Sequence, residues 1–503
     1  MADTIRTPPS PEEPAVGEQD LLDSASAGAR AIRGGAIRVI TFAVTVLLGV
    51  GSSALLYRHL RVVAAGHYVT ILSLVTLCGG LTDAGLAAIG VRGLATRDAE
   101  GRRRLMGSLG GVRLFLAFVG VIVAVAFAAV AGYGQTLVLG AVIAGVGMIL
   151  VVLQDTYAIP LTAGLRMGWV AAGELLRTVG TAIAIVALVL AGAGLLPFYA
   201  AVIPGALAGI ALTAWLVRRE VPLRPTVRLA EWRELLRNTL SYSLATAVSA
   251  VYFRVAIILV SLVSNAHQTG YFAVSFRGIE VLVSVPVLLV GAAFPIFARA
   301  ARDDHARLSY AVGRTFEAVW IVGLALALAL VVGAPFIIEV VAGPLFHPAD
   351  QVLRIQGLTL IATCVGAVWG YTLLSLHRHR QVLVVSLLAL ALTVVLTATL
   401  ASVDGARGAA IGTTTSEFAL MVMLGIAVRN TGLRPVIGGR AFWGSAIAAV
   451  AGAATLLIPG LADVIRVVLA LGIYGGGLLA FGALPRELIE QIPFAARLGR
   501  ARR

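Results

Sequence analysis

Three side chains between Asn238 and Asp303 carry charge inside otherwise apolar sequence: Arg254, Arg277 and Glu280. An ionisable group in a hydrocarbon-spanning helix costs about 2.5–3.5 kcal/mol on insertion scales, so it faces a cavity or a partner. Arginine stays charged and offers a planar fork to carboxylate or phosphate oxygens. Arg277 and Glu280 are three residues apart and share one helix face, so Glu280 can hold Arg277 in an empty site and release it to an anionic ligand. Arg38, near the start of the first apolar run, reads equally as an anion receiver or a snorkelling topology marker. Asp83 lies in a glycine-rich run, as a structural cap, a partner for Arg38 or Arg254, or a carrier of a proton or cation. Glu174 and Arg177 repeat the three-residue spacing and read as secondary, inter-helix ion pairs, while Glu317 and Glu417 read as structural. Tyr252 and Tyr271 offer rings for ligand stacking or for core packing. The histidines are scattered without metal-ligand spacing, and Cys78 and Cys364 sit in apolar runs as small buried hydrophobes.

The elements that hold these groups are membrane helices. The chain is 59% hydrophobic and only 13% charged, about half the charge of a soluble domain. All 39 basic side chains are arginine, so there is no lysine for a P-loop and no ATP site is expected. At roughly 20 apolar residues per crossing, the sequence predicts an all-α polytopic protein of about fourteen spans. The seventh and eighth spans cover 238–263 and 269–298, joined by a turn at Asn265–Gly270. The organisation expected is a disordered tail over 1–33, a six-helix lobe over 34–218, a second over 219–430, two further helices within 431–485, and a basic tail over 486–503. Arginine placement orients the chain. Alternate loops hold arginine clusters such as Arg102, Arg103 and Arg104, whereas the opposite loops hold only Arg58, Arg61, Arg354, Arg407 and Arg466. By the positive-inside rule both termini are cytoplasmic, and the net charge of +14 is a matter of topology and anionic lipid rather than nucleic acid.

The two lobes read as copies. AGHYVTILSL (65–74) follows the first span and TGYFAVSFRG (269–278) follows the seventh, and each pair of spans ends in an arginine-bearing loop. The offset stays near 200 residues and six spans fit within it, so the copies share one orientation, related by an axis along the membrane normal.

Three stretches carry a resemblance to a known family. They are LTDAGLAAIGVRGLA (81–95) behind the Gly66-His67-Tyr68 turn, the run from Tyr252 to Ala301, and GARGAAIGTTTSEFALM (405–421). The chain resembles the polysaccharide transporter, or O-antigen flippase-like, family of the multidrug/oligosaccharidyl-lipid/polysaccharide (MOP) flippase superfamily. The resemblance covers roughly Gly35 to Arg429. It implies a flippase in the bacterial inner membrane that moves a polyprenyl-diphosphate-linked oligosaccharide, a cell-envelope glycan precursor, to the outer leaflet. It also implies two lobes around a cationic cavity, glycan polymerase or ligase machinery as neighbours, and a lipid groove along the last two helices, here about 441–484. On this reading Arg254 and Arg277 bind diphosphate and Tyr252 and Tyr271 meet sugar rings. The alternatives are a multidrug extrusion-type antiporter of the same superfamily, whose site for cationic drugs is acid-dominated, and a non-transporting envelope-assembly scaffold. A membrane-embedded glycosyltransferase, ligase or polymerase fits poorly, because every outer connection is short.

Overall fold

The computed structural model describes residues 25–83, 85–95, 97–222 and 224–483. Among these there is only helix and turn, and sixteen α-helices run in chain order: α1 Ala25–Asp83, α2 Leu86–Ala95, α3 Ala99–Val130, α4 Gln135–Ala163, α5 Met167–Leu190, α6 Leu195–Phe198, α7 Val202–Val217, α8 Leu229–Val263, α9 Ala266–Leu282, α10 Ser284–Asp303, α11 His305–Ala342, α12 Ala349–Gly357, α13 Thr359–Ser375, α14 His379–Arg429, α15 Gly439–Ala453 and α16 Asp463–Ala480. The tail expected over 1–33 is corrected at its end, because α1 already begins at Ala25. The rest of that tail, and the basic tail over 486–503, lie outside the described residues.

Two helices are each a pair of crossings. In α1 the backbone leaves helical geometry at Arg61 (φ 62°). Gly49 and Thr76 line the same cavity, although a straight helix at 1.5 Å per residue would hold them about 40 Å apart, so the chain turns back between them. In α14 the break is at Asp404 and Gly405 (φ 54° at the glycine). Beyond it Gly408 lies against Leu400 and Gly412 against Leu396 and Thr397, an antiparallel return. Among the described residues eleven runs are long and apolar enough to cross a membrane, two of them being these doubled helices; α8, whose shorter apolar stretch is Arg254–Val263, is counted with them as the remaining crossing. The fourteen expected spans are therefore present, six in each lobe and two beyond.

Local chemistry explains the breaks that matter for the site. The α8–α9 turn is tighter than expected. It consists of Ser264 and Asn265, and the Asn265 side chain caps α9 by accepting from the Gln268 N–H at 3.0 Å. The eighth span is interrupted at Val283 because Pro286 has no N–H to give the Leu282 carbonyl.

The lobes meet through α1, which packs on α8 and α9. The contact is closest between the two glycines that the repeat makes equivalent. A Cβ on Gly66 would come within 2.8 Å of the Gly270 nitrogen, and one on Gly270 within 2.3 Å of the Val62 carbonyl oxygen. Only glycine on both helices permits this approach. On the arginine-rich side, α3 and α8 are tied by Glu231, which accepts from Ser108 and pairs with Arg104 (3.3 Å) and Arg228 (3.1 Å). The final pair, α15 and α16, packs on α11, where the Tyr474 hydroxyl donates to the Ile321 carbonyl at 2.8 Å.

Candidate functional site

The three charges singled out in the sequence form one cluster. Arg254 on α8 donates to Glu280 Oε1 at 2.5 Å, and Arg277 on α9 donates to Glu280 Oε2 at 2.7 Å. Each carboxylate oxygen thus serves one guanidinium. The sequence spacing anticipated the Arg277–Glu280 pair; the second arm, from α8, comes from the packing of α8 beside α9. Arg277 Nε is buried without a hydrogen-bond partner, so the guanidinium keeps an unspent donor.

The cluster lies on the wall of a cavity of about 290 Å3 between the lobes. The first lobe contributes Gly49, Ser52, Ser53, Tyr57, Tyr68, Ser73 and Thr76 from the two arms of α1, and Arg177, Thr178 and Thr181 from α5. The second contributes Arg254, Ala273, Phe276, Arg277 and Glu280. Gly49 leaves room for Arg277, whose Nη2 lies 3.7 Å from where a Cβ would stand. The lining holds three arginines against one glutamate, with a fringe of hydroxyls. Such a wall attracts anions and offers neutral donors around them.

Arg177 is drawn into this wall, which the sequence did not anticipate. Its ion-pair partner is Asp155 across on α4, at 3.3 Å, so it serves an inter-helix pair and lines the cavity at once. Also missed were Tyr57, Tyr68 and the hydroxyl stripe. Ser52, Ser53, Ser73 and Thr76 stand out weakly as polar residues at helical spacing in apolar runs, but only the fold-back at Arg61 shows that both runs face one cavity.

The two tyrosines read as rings for ligand stacking or core packing line other spaces than the arginine cluster. Tyr252 lines a separate chamber of about 60 Å3 within the second lobe, with Gln356, Thr359, Thr393, Thr413 and Glu417. Glu280 lines both that chamber and the central cavity. Tyr271 borders a basin at the loop end of the second lobe, with Asn265, Gln268 and Arg354. Arg38 and Asp83 lie on α1, but their side chains fall outside the described part of the structure. Glu317 is buried and accepts from the Gly438 N–H at 2.6 Å and from Arg314 at 2.8 Å, a clamp on the loop before α15. Among the described residues no group of histidine, cysteine and acidic side chains is placed to hold a metal ion.

Comparison with known proteins bears on this architecture. The family model described as polysaccharide biosynthesis protein matches residues 32–301. Among solved structures, the lipid II flippase MurJ in an inward-closed conformation superposes with a TM-score of 0.74 at 11% identity, over 90% of this chain and 99% of that one. An inward-facing multidrug resistance MATE transporter of the MOP superfamily gives 0.63 at 14% identity, over 79% and 98%. A MOP superfamily transporter from Pyrococcus furiosus, described by a reversed polarity of its binding pocket, gives 0.52 at 17% identity, over 80% and 96%. A search of curated proteins finds no match. At these identities the likenesses define a shared fold: a multi-pass, all-α membrane protein with the helix arrangement of those transporters.

Proposed function

The chain belongs to the polysaccharide biosynthesis protein family, and from that premise we propose that it is a flippase for a polyprenyl-diphosphate-linked oligosaccharide. The cargo crosses head group first, from the inner to the outer leaflet of the bacterial inner membrane, while both termini stay cytoplasmic. The observation that carries this reading is the sharing of Glu280 between Arg254 and Arg277. The carboxylate holds the two guanidinium groups as a stand-in anion. A diphosphate has enough acceptors to replace it on both at once, and each new contact is charge-assisted on both sides. Arg177 and the surrounding serine and threonine hydroxyls then meet the remaining phosphate oxygens and the first sugar.

Alternating access follows from the bilobal build. On this reading the close Gly66–Gly270 contact between α1 and α9 is the seal at one end of the cavity, and exchange of the cargo for Glu280 favours the state in which the lobes rock apart at that end. No nucleotide site is needed, since the diphosphate is cargo rather than fuel. The positive cavity disfavours the drug-extrusion alternative, because a cationic drug would face three arginines.

Flipping of a fluorescent lipid-linked oligosaccharide in proteoliposomes tests this. Arg254→Ala and Arg277→Ala should each slow it by about 10- to 100-fold, the equivalent of one lost charge-assisted contact of about 1.5–3 kcal/mol. Unchanged flipping in both, with abolition in Asp83→Asn, would refute the anionic-cargo reading.

A further inference from the structure

A polar basin of about 840 Å3 opens on the second lobe, at the end away from the arginine-rich loops. It forms where three chain reversals meet: the Ser264–Asn265 turn, the start of α12 and the break in α14. The junction is built rather than incidental. The Gln268 side-chain oxygen accepts from the Ala406 N–H at 3.0 Å, fastening α9 to the chain just beyond the break.

The charges of this basin differ from those of the central cavity. Asp350 and Asp404 balance Arg354 and Arg407, and they are engaged locally, His347 with Asp350 at 3.5 Å and Arg407 with Asp404 at 4.0 Å. A wall so balanced exerts little net field and does not select for phosphate. What remains is hydrogen-bonding capacity. Asp350 and Arg354 stand a helical turn apart on α12 and put an acceptor and a donor on the wall. Asn265, Gln351 and Ser402 add amide and hydroxyl groups, and the Tyr271 ring borders the space. Each sugar hydroxyl both donates and accepts, and a pyranose has an apolar face that packs on an aromatic ring. The volume lies within the range of about 300–1,000 Å3 usual for ligand sites.

We propose that this basin is a carbohydrate-binding site for uncharged sugar units of the transported oligosaccharide, engaged as they leave the central cavity. The identity of the sugars as cargo rests on the flippase reading; the site itself is a prediction about this surface. It explains why Tyr271 is set apart from the arginines: diphosphate and glycan are held in two places, by field in one and by hydrogen bonds and stacking in the other.

The test uses the full chain in nanodiscs. The probe is the oligosaccharide pool released by mild acid from the polyprenyl-diphosphate of the native cells, which carries no diphosphate and no lipid. Saturation-transfer NMR should report sugar contact with wild type and with the Arg254→Ala/Arg277→Ala double variant to the same extent. Ser402→Trp, which fills the space from an exposed position, and Gln351→Ala, also exposed, should weaken the signal by about tenfold, equal to about 1.4 kcal/mol. No transfer from wild type, or undiminished transfer from both basin variants, overturns the proposal. The two readings fail separately. Flipping that depends on the arginines without sugar contact sinks the basin alone. Sugar contact at the basin with flipping indifferent to the arginines sinks the central site alone.

Discussion

Glu280→Gln is the sharpest single perturbation of the central cavity. Glutamine keeps the shape and can still accept one hydrogen bond, but it removes the charge that both guanidinium groups now share at 2.5 and 2.7 Å. A charge-assisted hydrogen bond contributes about 1.5–3 kcal/mol. Before a diphosphate can occupy both arginines, two such contacts must be surrendered. The three side chains retain between 25% and 36% of their exposure, so solvent screening reduces each contact to the lower end of that range or below. Part of each contact also survives with glutamine. A net relief of about 1.5 kcal/mol follows, which is about tenfold in affinity. Inorganic pyrophosphate should therefore bind the variant about tenfold more tightly than wild type, measured by calorimetry in nanodiscs. Flipping of labelled lipid-linked oligosaccharide should slow, because no anion is left to displace the cargo on release. The apo variant should also melt lower, as two like charges are left side by side. Equal or weaker pyrophosphate binding by Glu280→Gln would refute the exchange of carboxylate for diphosphate.

Two further outcomes test the frame around the site. Gly270→Ala places a methyl group 2.3 Å from the Val62 carbonyl oxygen, so the helices must separate there; overpacking of this kind costs about 1–3 kcal/mol. The expected result is a lower melting temperature together with increased labelling of cysteines introduced at the Gly66 end of the cavity, and unchanged labelling would show that this contact is no gate. On the opposite side, the Ser108 hydroxyl, with help from Arg228 and Arg104, holds the Glu231 carboxyl below its ordinary value of 4.5. A lowered folded-state pKa means that the contribution is complete above 4.5 and is lost as pH falls through the folded value. Thermal melts of wild type should therefore weaken below about pH 4.5 more steeply than those of Glu231→Gln, and parallel profiles would contradict the role assigned to this carboxylate.

Much of the fold was legible because membranes constrain sequence so strongly. With no water to satisfy backbone groups, each crossing must be a helix of about 20 apolar residues, and arginine must collect on one side. That is why fourteen crossings and their alternation follow from Gly35 to Ala480 without any tertiary information. The repeat was legible for a related reason, since Gly66 and Gly270 are required at equivalent places by the close helix contact there. The break at Val283 is written in Pro286, and the reversal in α1 falls where Arg58 and Arg61 interrupt the apolar runs, although the residue that takes the left-handed conformation there is Arg61 rather than a glycine.

The site divides along the same line. Residue types and spacing were enough to say which charges must be functional or paired, because arginine and glutamate are too costly in hydrocarbon to be idle, and to pair Arg277 with Glu280, because three residues make nearly one helical turn. It took the packed helices to show that Arg254 joins them, that Arg177 lines the same cavity while pairing with Asp155, and that Tyr252 and Tyr271 belong to two other spaces. Those outcomes depend on how far each helix is rotated about its own axis. In a span that is apolar all round, periodicity leaves that rotation undetermined; it is set by which glycines and small residues let neighbouring helices approach.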